Sequence, residues 1–173
     1  MPALLCPPYP SAVIVRPARP DELAAVGALT LASYVADGHL TPTDAYAGEL
    51  TAADRRAGEA ELMVAADDDA LLGTVTYCLA GTPWAELALQ GEAEFRMLAV
   101  ASQARRRGVG RVLAEWCLER ARDQGCTAVV LCSLPSMTGA HRLYESLGFT
   151  RVPDRDWRPR PELHLLAFAL PLR

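Results

Sequence analysis

Lysine is absent from this 173-residue sequence, in which all 17 basic residues are arginines. Alanine, arginine, glycine and proline are abundant together, and we attribute the bias to a GC-rich, bacterial genome rather than to function. The 21 acidic residues outnumber the arginines and give a net charge of −4. Broad binding to nucleic acid needs a basic surface, so we do not expect a nucleic-acid partner.

The cysteines form no recognisable pattern, and long apolar runs are missing. The five cysteines are odd in number and scattered, and none forms a Cys-x-x-Cys pair. This pattern argues against a disulfide framework or a zinc site, and we expect no metal. No segment approaches the ~18–20 apolar residues of a membrane span, and the first residues lack the basic start of a signal peptide. We therefore expect a cytoplasmic protein without a membrane partner.

The composition is that of an ordinary globular protein. Hydrophobic residues make up 51% of the chain and charged residues 22%, which excludes general disorder. The length suits one domain with a sizeable core. Four prolines within the first ten residues predict a flexible tail over residues 1–11, followed by a single domain over residues 12–173.

Hydrophobic periodicity predicts an α+β fold of mixed α/β layers. Strand and helix periods alternate along the chain, and glycines end two of the helices, at Gly125 and Gly148. Within the strand 93–100, alternation would place Glu94, Arg96, Leu98 and Val100 on one face and Phe95, Met97 and Ala99 on the other. The predicted strands are 11–16, 61–66, 71–79, 93–100, 128–133, 150–152 and 163–170, of which 61–66 and 71–79 form a hairpin. The predicted helices are 20–35, 43–56, 108–125 and 138–147. Residues 153–161 are predicted to form a loop.

The strongest functional signal is a run of arginines between a strand and a glycine-headed helix. Helix N-termini expose unpaired N–H groups and the positive end of the helix dipole, so they attract phosphates. Two glycines would let a pyrophosphate approach the backbone. The alternative is a solvated helix start with incidental arginines. A P-loop does not fit, because no Gly-Lys-Ser/Thr sequence follows. A dinucleotide-binding fingerprint does not fit either, because the acidic residue at the expected distance, Asp123, lies inside the predicted helix rather than at the end of a second strand. The residues of this predicted anion site are Arg105, Arg106, Arg107, Gly108, Gly110 and Arg111.

Two motifs together resemble those of the GCN5-related N-acetyltransferases, the GNAT superfamily. With the opening strand, the hairpin and the closing strands, the resemblance extends over residues 12–171. The first is Arg105-x-x-Gly108-x-Gly110 after the strand Leu98-x-Val100, and the second is Ala140-x-x-Leu143-Tyr144-x-x-x-Gly148-Phe149. The resemblance implies a central mixed sheet with helices on both faces and a splayed strand pair that admits acetyl-CoA as co-substrate. It also implies direct transfer of the acetyl group to an amine in a ternary complex. The cofactor contacts that it implies are Leu98, Ala99, Val100, Arg105, Arg106, Arg107, Gly108, Val109, Gly110, Arg111 and Tyr144.

The resemblance also implies the catalytic groups. Glu94 matches a glutamate that often serves as the base, directly or through water, and Glu92 is a weaker candidate; Glu94 could instead be a structural carboxylate. Tyr144 matches a tyrosine that contacts the CoA sulfur and protonates the thiolate, although a core tyrosine is the alternative. A covalent route through Cys132 is less favoured, because buried cysteines usually serve packing.

The acceptor site is the least specified part of the sequence. We expect Tyr34, Trp84, Asp156 and Trp157 to contribute, because aromatic and acidic side chains suit a cationic amine. A small amine, an amino acid, an antibiotic and a peptide N-terminus all stay open as acceptors. Two alternative functions also stay open: a CoA-binding sensor or interaction module without turnover, and transfer from a longer acyl-CoA. A homodimer is the default oligomer.

Overall fold

The computed structural model describes residues 13–68 and 70–173. The predicted tail and the first residues of the first predicted strand lie outside these ranges. The helices are α1 (Leu23–Ala36), α2 (Ala47–Thr51), α3 (Ala53–Glu59), α4 (Val109–Asp123) and α5 (Thr138–Ser146). The strands are β1 (Ile14–Pro17), β2 (Glu61–Asp67), β3 (Ala70–Leu79), β4 (Glu92–Val100), β5 (Ala128–Ser133), β6 (Thr150–Arg151), β7 (Trp157–Arg160) and β8 (Leu163–Pro171).

The strands form a mixed sheet in the order β1-β2-β3-β4-β5-β8-β6, and β7 pairs with β8. The one parallel pair in the described part of the chain is β4–β5, joined by the crossover helix α4. Helix α4 packs against one face of the sheet and α1 and α3 against the other, so apolar side chains of β3 and β4 are buried on both faces. The predicted α+β class and layered architecture are confirmed.

Strands β4 and β5 pair only over their first residues. The register runs from Glu92–Ala128 to Glu94–Val130 and then stops. Beyond that point the strands diverge, and their unpaired backbone groups face the gap between them. The splayed strand pair expected from the resemblance is confirmed, and it opens at the carboxyl ends of both parallel strands.

A β-bulge in β4 overturns the predicted division of its faces. Between the pairs Thr76–Arg96 and Thr74–Ala99, β4 has one residue more than β3, and Met97 has a φ of 52°. Met97 therefore packs in the cluster of Leu50 and Cys78, while Leu98 packs against the opposite, α4-side core. The expectation that Phe95 and Met97 share a face, and that Glu94 shares one with Leu98, was wrong because a bulge shifts the alternation.

Two predicted boundaries also need correction. The helix expected over residues 43–56 is divided into α2 and α3 at Ala52, whose ψ of 57° is not helical. The divided segment packs closely on α1 at Gly27, where a Cβ atom would collide with the carbonyl oxygen of Thr51. The loop expected over residues 153–161 contains β7, which pairs with β8 and tolerates Pro159 because it lies at an edge.

An aromatic cluster joins β4 to the elements that follow it. The ring of Phe95 lies 5.9 Å from those of Tyr144 and Phe149, in edge-to-face geometry. Tyr144 also lies 5.9 Å from Phe168 of β8. This cluster connects the splayed strand to α5 and fixes the position of the tyrosine. No described helix is both long and apolar enough to cross a membrane.

Candidate active site

A cleft of about 710 Å³ lies between the end of β4, the start of α4 and α5. A Cβ atom at Gly110 would lie 3.3 Å from a methyl carbon of Leu143 and 3.6 Å from one of Leu98. The missing side chain therefore keeps the cleft open at the first turn of α4. Of the residues predicted to hold the cofactor, Leu98, Val100, Arg105, Arg106, Gly108, Val109, Gly110 and Arg111 line this cleft.

The start of α4 has the geometry of an anion site. Gly108 is the N-cap of the helix, with a left-handed φ of 79° and no other group within 4 Å of where its Cβ would be. The first N–H groups of the helix have no intrahelical acceptor. Arg106 also has a left-handed φ, of 61°, a conformation that is costly for a side-chain-bearing residue and is often found at ligand sites. These features fit a pyrophosphate.

Exposed ion pairs hold several of the arginines. Arg105 makes two hydrogen bonds of 2.6 and 3.0 Å to Asp37 at the end of α1. Arg107 is directed to Asp67, at 2.7 Å, and does not line the cleft. Arg111 donates to Ser146 of α5 at 2.6 Å. Because such exposed pairs contribute little stability, a phosphate could replace their carboxylates at small cost.

The remaining predicted cofactor residues, Ala99 and Tyr144, do not line the cleft. Ala99 is buried, with its carbonyl oxygen 2.8 Å from the Cβ position of Gly73. Tyr144 lies in the aromatic cluster, and burial raises the pKa of its hydroxyl. Tyr34 and Cys132 line the second cavity described below, whereas Tyr144 lines neither cavity.

A second cavity of about 520 Å³ adjoins the cleft, and both are lined by Tyr34, His39 and Met137. His39, which sequence reasoning left without a role, places its Nδ1 3.0 Å from the hydroxyl of Ser136. The second cavity is rich in aromatic and charged side chains. The aromatic residues are Tyr34, Tyr46 and Trp157, the carboxylates are those of Asp44, Glu49, Glu86 and Glu162, and the guanidinium groups are those of Arg96 and Arg160.

The structure brings two of the four predicted acceptor residues to this cavity and places the other two elsewhere. Tyr34 and Trp157 line it. Trp84 is buried, and its ring lies 4.9 Å from the guanidinium carbon of Arg55. The carboxylate of Asp156 makes two 2.8 Å hydrogen bonds to Arg151. Trp84 and Asp156 therefore stabilise neighbouring segments. No sequence pattern distinguishes these two residues from Tyr34 and Trp157, which line the cavity.

Glu94 is fully buried behind the cavity and is not among its lining residues. Its Oε2 accepts three backbone N–H groups, from Glu86, Leu87 and Ala88, at 2.9, 2.7 and 3.0 Å. Its Oε1 is buried and has no hydrogen-bond partner among the described residues. Glu94 thus anchors the segment between β3 and β4 and leaves one carboxylate oxygen unsatisfied.

Glu92, the weaker candidate for the base, lies at the opposite end of the strand from the splay. Two hydrogen bonds of 3.0 and 2.8 Å join it to Arg155. Burial alone would raise the pKa of Glu92, but the bonds from Arg155 and from the N–H of Leu89 outweigh it and lower the pKa. A carboxylate held in this way is a weak base.

Glu86 is the acidic residue that sequence reasoning missed. It precedes β4 in an irregular segment, so no periodicity predicts where its side chain lies. It lines the second cavity and pairs with Arg96 at 2.8 Å. Burial raises the pKa of Glu86; the charge of Arg96 opposes this shift, and the charge of Glu94 adds to it.

Glu86, Glu94 and Cys132 have ligand-type atoms within 4.8 Å of one another. The guanidinium of Arg96 already supplies positive charge there, at 2.8 Å from Glu86. Burial raises the pKa of Cys132 to about 11, so its thiol is protonated near neutral pH and is a weak nucleophile. Glu86, Glu94 and Cys132 therefore form a cluster of side chains that can hold protons.

The splayed parallel pair β4–β5 beside the glycine-headed helix α4 is the arrangement that the resemblance to the GNAT superfamily implied. The chain belongs to the acetyltransferase (GNAT) family, whose family model matches residues 28–149. A segment of 65 residues is 42% identical to rat (Rattus norvegicus) N-acetyltransferase 8B, and it covers 35% of this chain and 29% of that relative. The chain thus matches less than a third of this curated relative's length.

Solved structures share the fold across nearly the whole chain. An acetyltransferase of the GNAT family from Staphylococcus aureus Mu50 superposes with a TM-score of 0.75 over 94% of this chain and 100% of that chain, at 12% identity. A Salmonella typhimurium protein solved with its cofactor acetyl-CoA has a TM-score of 0.65, 20% identity, and coverage of 94% and 95%. At these identities the likeness concerns the fold.

Proposed function

We propose that this protein transfers an acetyl group from acetyl-CoA directly to a primary amine in a ternary complex. The observation that carries the proposal is that Tyr34, His39 and Met137 line both cavities, in a protein whose strands β4 and β5 stop pairing after Glu94. A thioester that enters from the cleft would meet an amine that enters from the second cavity. No covalent relay is needed for such a transfer.

Acetyl-CoA would supply the activated acetyl group and a thiolate leaving group. The first N–H groups of α4, with Arg105, Arg106 and Arg111, would hold its pyrophosphate. The backbone of Leu98 and Val100, which does not pair with β5, would hold the pantetheine arm. A backbone N–H near Val100 would also polarise the thioester carbonyl.

The charges of the second cavity favour a cationic acceptor. Four carboxylates and two guanidiniums line it, and the guanidiniums already have acidic partners: Arg96 pairs with Glu86, and Arg160 lies 3.6 Å from Glu162. The rings of Tyr34 and Trp157 would add cation–π contacts. We infer that a protonated amine is drawn in, which then has to lose a proton before it can attack.

Two side chains from the resemblance are proposed to manage the protons. Glu94 is buried behind the cavity, so it would act indirectly, through the Glu86 segment whose N–H groups it accepts. Tyr144 would donate a proton to the departing thiolate, and burial keeps its hydroxyl protonated. A longer acyl-CoA, or cofactor binding without turnover, would show in the experiment below.

The proposal is tested by titrating the protein calorimetrically with acetyl-CoA and then assaying CoA-thiol release with a panel of amines. Binding together with amine-dependent release supports acetyl transfer. Binding without release by any amine would favour a sensor or interaction module instead. Faster release from a longer acyl-CoA would reassign the donor, and no binding to any acyl-CoA would contradict the assignment of the cleft.

Replacing Tyr144 with phenylalanine removes one hydroxyl and keeps the ring in the aromatic cluster. We expect kcat to fall about 100-fold, since general acid catalysis contributes about 10²- to 10⁴-fold, while the dissociation constant of acetyl-CoA changes by less than about 3-fold. Steady-state thiol release and calorimetry measure the two quantities. Equal kcat in the variant and the parent would remove Tyr144 from the mechanism.

A further inference from the structure

The four carboxylates of the second cavity differ in their suitability as a base. Asp44 accepts hydrogen bonds from the N–H and hydroxyl of Thr41 at 2.6 and 3.1 Å, and these lower its pKa. Glu162 is largely exposed beside Arg160. Glu49 and Glu86 are both exposed as whole residues. Glu86 differs because its side chain is only 27% exposed, opens to the cavity and pairs at 2.8 Å with Arg96, whose side chain is 8% exposed.

Glu86 is also held from behind. Its own N–H, with those of the next two residues, donates to Oε2 of Glu94, so one buried carboxylate fixes the backbone that carries the second carboxylate. Arg96 fixes the side chain at 2.8 Å and also donates to the carbonyl oxygen of Trp84 at 3.0 Å. The backbone and the side chain of Glu86 are therefore both positioned before any acceptor arrives.

We propose that Glu86 accepts the proton that the acceptor amine loses, and that Glu94 is a positioning residue which holds the Glu86 segment in place. The inference rests on the proposed acetyl transfer and assigns the base within that same site. The buried, unpartnered Oε1 of Glu94 lies within the same group of side chains. Because that oxygen is buried and Glu94 does not line the cavity, the carboxylate that an incoming amine would meet is that of Glu86.

The transfer takes two protons from the acceptor nitrogen and leaves one electron pair on the sulfur. Glu86 removes one proton from the ammonium group of the acceptor, and the freed lone pair forms the new N–C bond to the thioester carbonyl. The C–S bond breaks, and its electron pair leaves with the sulfur. The thiolate gains the proton of the Tyr144 hydroxyl, and the second nitrogen proton, lost as the amide forms, restores that hydroxyl. The net products are the amide, the free thiol and one proton, which Glu86 releases to solvent.

The electrostatics of Glu86 agree with this role. Burial and the charge of Glu94 raise its pKa, and Arg96 limits the increase. The raised pKa makes this carboxylate a stronger base than an exposed glutamate, which favours general base catalysis. Arg96 also keeps a counter-charge in place after Glu86 has been neutralised.

The test compares Glu86→Gln with two matched variants, Glu119→Gln on the exposed side of α4, outside both cavities, and Glu94→Gln behind the second cavity. The acceptors are 2-phenylethylamine, which is protonated at neutral pH, and 2,2-difluoro-2-phenylethylamine, which has nearly the same shape but a far less basic nitrogen. The same pair is made from another amine if the panel identifies a better acceptor. Thiol release gives kcat and KM between pH 6.5 and 9.5, and calorimetry gives acetyl-CoA affinity.

For Glu86→Gln we expect kcat with the protonated amine to fall about 100-fold at pH 7.5, and the loss to shrink as pH rises. The fluorinated amine should lose less than about 5-fold, because its nitrogen needs little help to lose a proton. Glu119→Gln should leave both rates within about 2-fold, because the residue lies outside both cavities, and Glu94→Gln within about 5-fold, since its amide oxygen still accepts the three N–H groups. Acetyl-CoA affinity should be the same in all of them.

Three results would overturn the assignment. Equal losses with the two amines would give Glu86 a structural role only. A Glu94→Gln loss as large as that of Glu86→Gln, with the same preference between the amines, would move the base to Glu94. Unchanged rates in Glu86→Gln, with an active parent protein, would remove Glu86 from the chemistry. A parent protein that releases no thiol with any amine would instead contradict the proposed function itself.

Discussion

Glu in place of Gly108 is expected to weaken acetyl-CoA binding by about 100-fold or more, equivalent to about 2.7 kcal/mol. Gly108 is the N-cap of α4, and no other atom lies near its Cβ position, so the new side chain fits without collision. Its carboxylate would occupy the end of the helix where the N–H groups and the dipole attract a phosphate. The loss arises because two anions then compete for one set of donors.

The matched control is Gly125→Glu, at the other end of the same helix. Gly125 also has a left-handed φ, of 71°, and also has no atom within 4 Å of its Cβ position. Both variants bear the cost of placing a side-chain residue in that conformation, but only Gly108 adjoins the cleft. Calorimetric titration should find near-parental acetyl-CoA affinity in Gly125→Glu. Comparable affinities in the two variants would contradict the placement of the anion site.

Phe95→Ala is expected to lower the free energy of unfolding by about 3–5 kcal/mol, the usual cost of deleting a buried phenyl ring. Phe95 is 2% exposed and makes two edge-to-face contacts, with Tyr144 and Phe149. Phe95 follows the last residue of β4 that pairs with β5. Fewer β4–β5 hydrogen bonds are therefore available there to hold the strand once the ring is removed. Urea unfolding followed by tryptophan fluorescence measures the change.

Leu89→Ala provides the comparison for Phe95→Ala. Leu89 is large and apolar but 63% exposed, and we expect its truncation to change the free energy of unfolding by no more than about 0.5 kcal/mol. A loss of less than about 1 kcal/mol in Phe95→Ala would show that the aromatic cluster can relax to fill the space. The position of Tyr144 would then have to be maintained by other contacts.

Local periodicity was enough to predict most of the elements. Helix α4 begins directly after Gly108 and ends before Gly125, as the apolar spacing and the glycines indicate. Strand β5 has the predicted bounds, residues 128–133. These features depend on neighbours within a few residues, so the sequence carries them directly. Segments that depend on distant partners, such as 43–56 and 153–161, were assigned less well.

The arginine–glycine segment and the Leu143-Tyr144 motif were likewise readable from the sequence, because each function there depends on a short, continuous stretch of chain. The family match over residues 28–149 agrees with that reading. The roles of individual side chains in binding and catalysis remain proposals, and the substitutions at Gly108 and Tyr144 test them separately.

Tertiary structure alone decided which acidic and aromatic side chains meet at the acceptor cavity. The bulge at Met97 reversed the face of Leu98 relative to Glu94. Glu86 entered the site from an irregular segment, while Trp84 and Asp156 were engaged by Arg55 and Arg151. Periodicity describes a residue's place within its own strand or helix. A cavity is formed by side chains from separate elements, and their relative positions depend on bulges and long-range hydrogen bonds that leave no repeating pattern in the sequence.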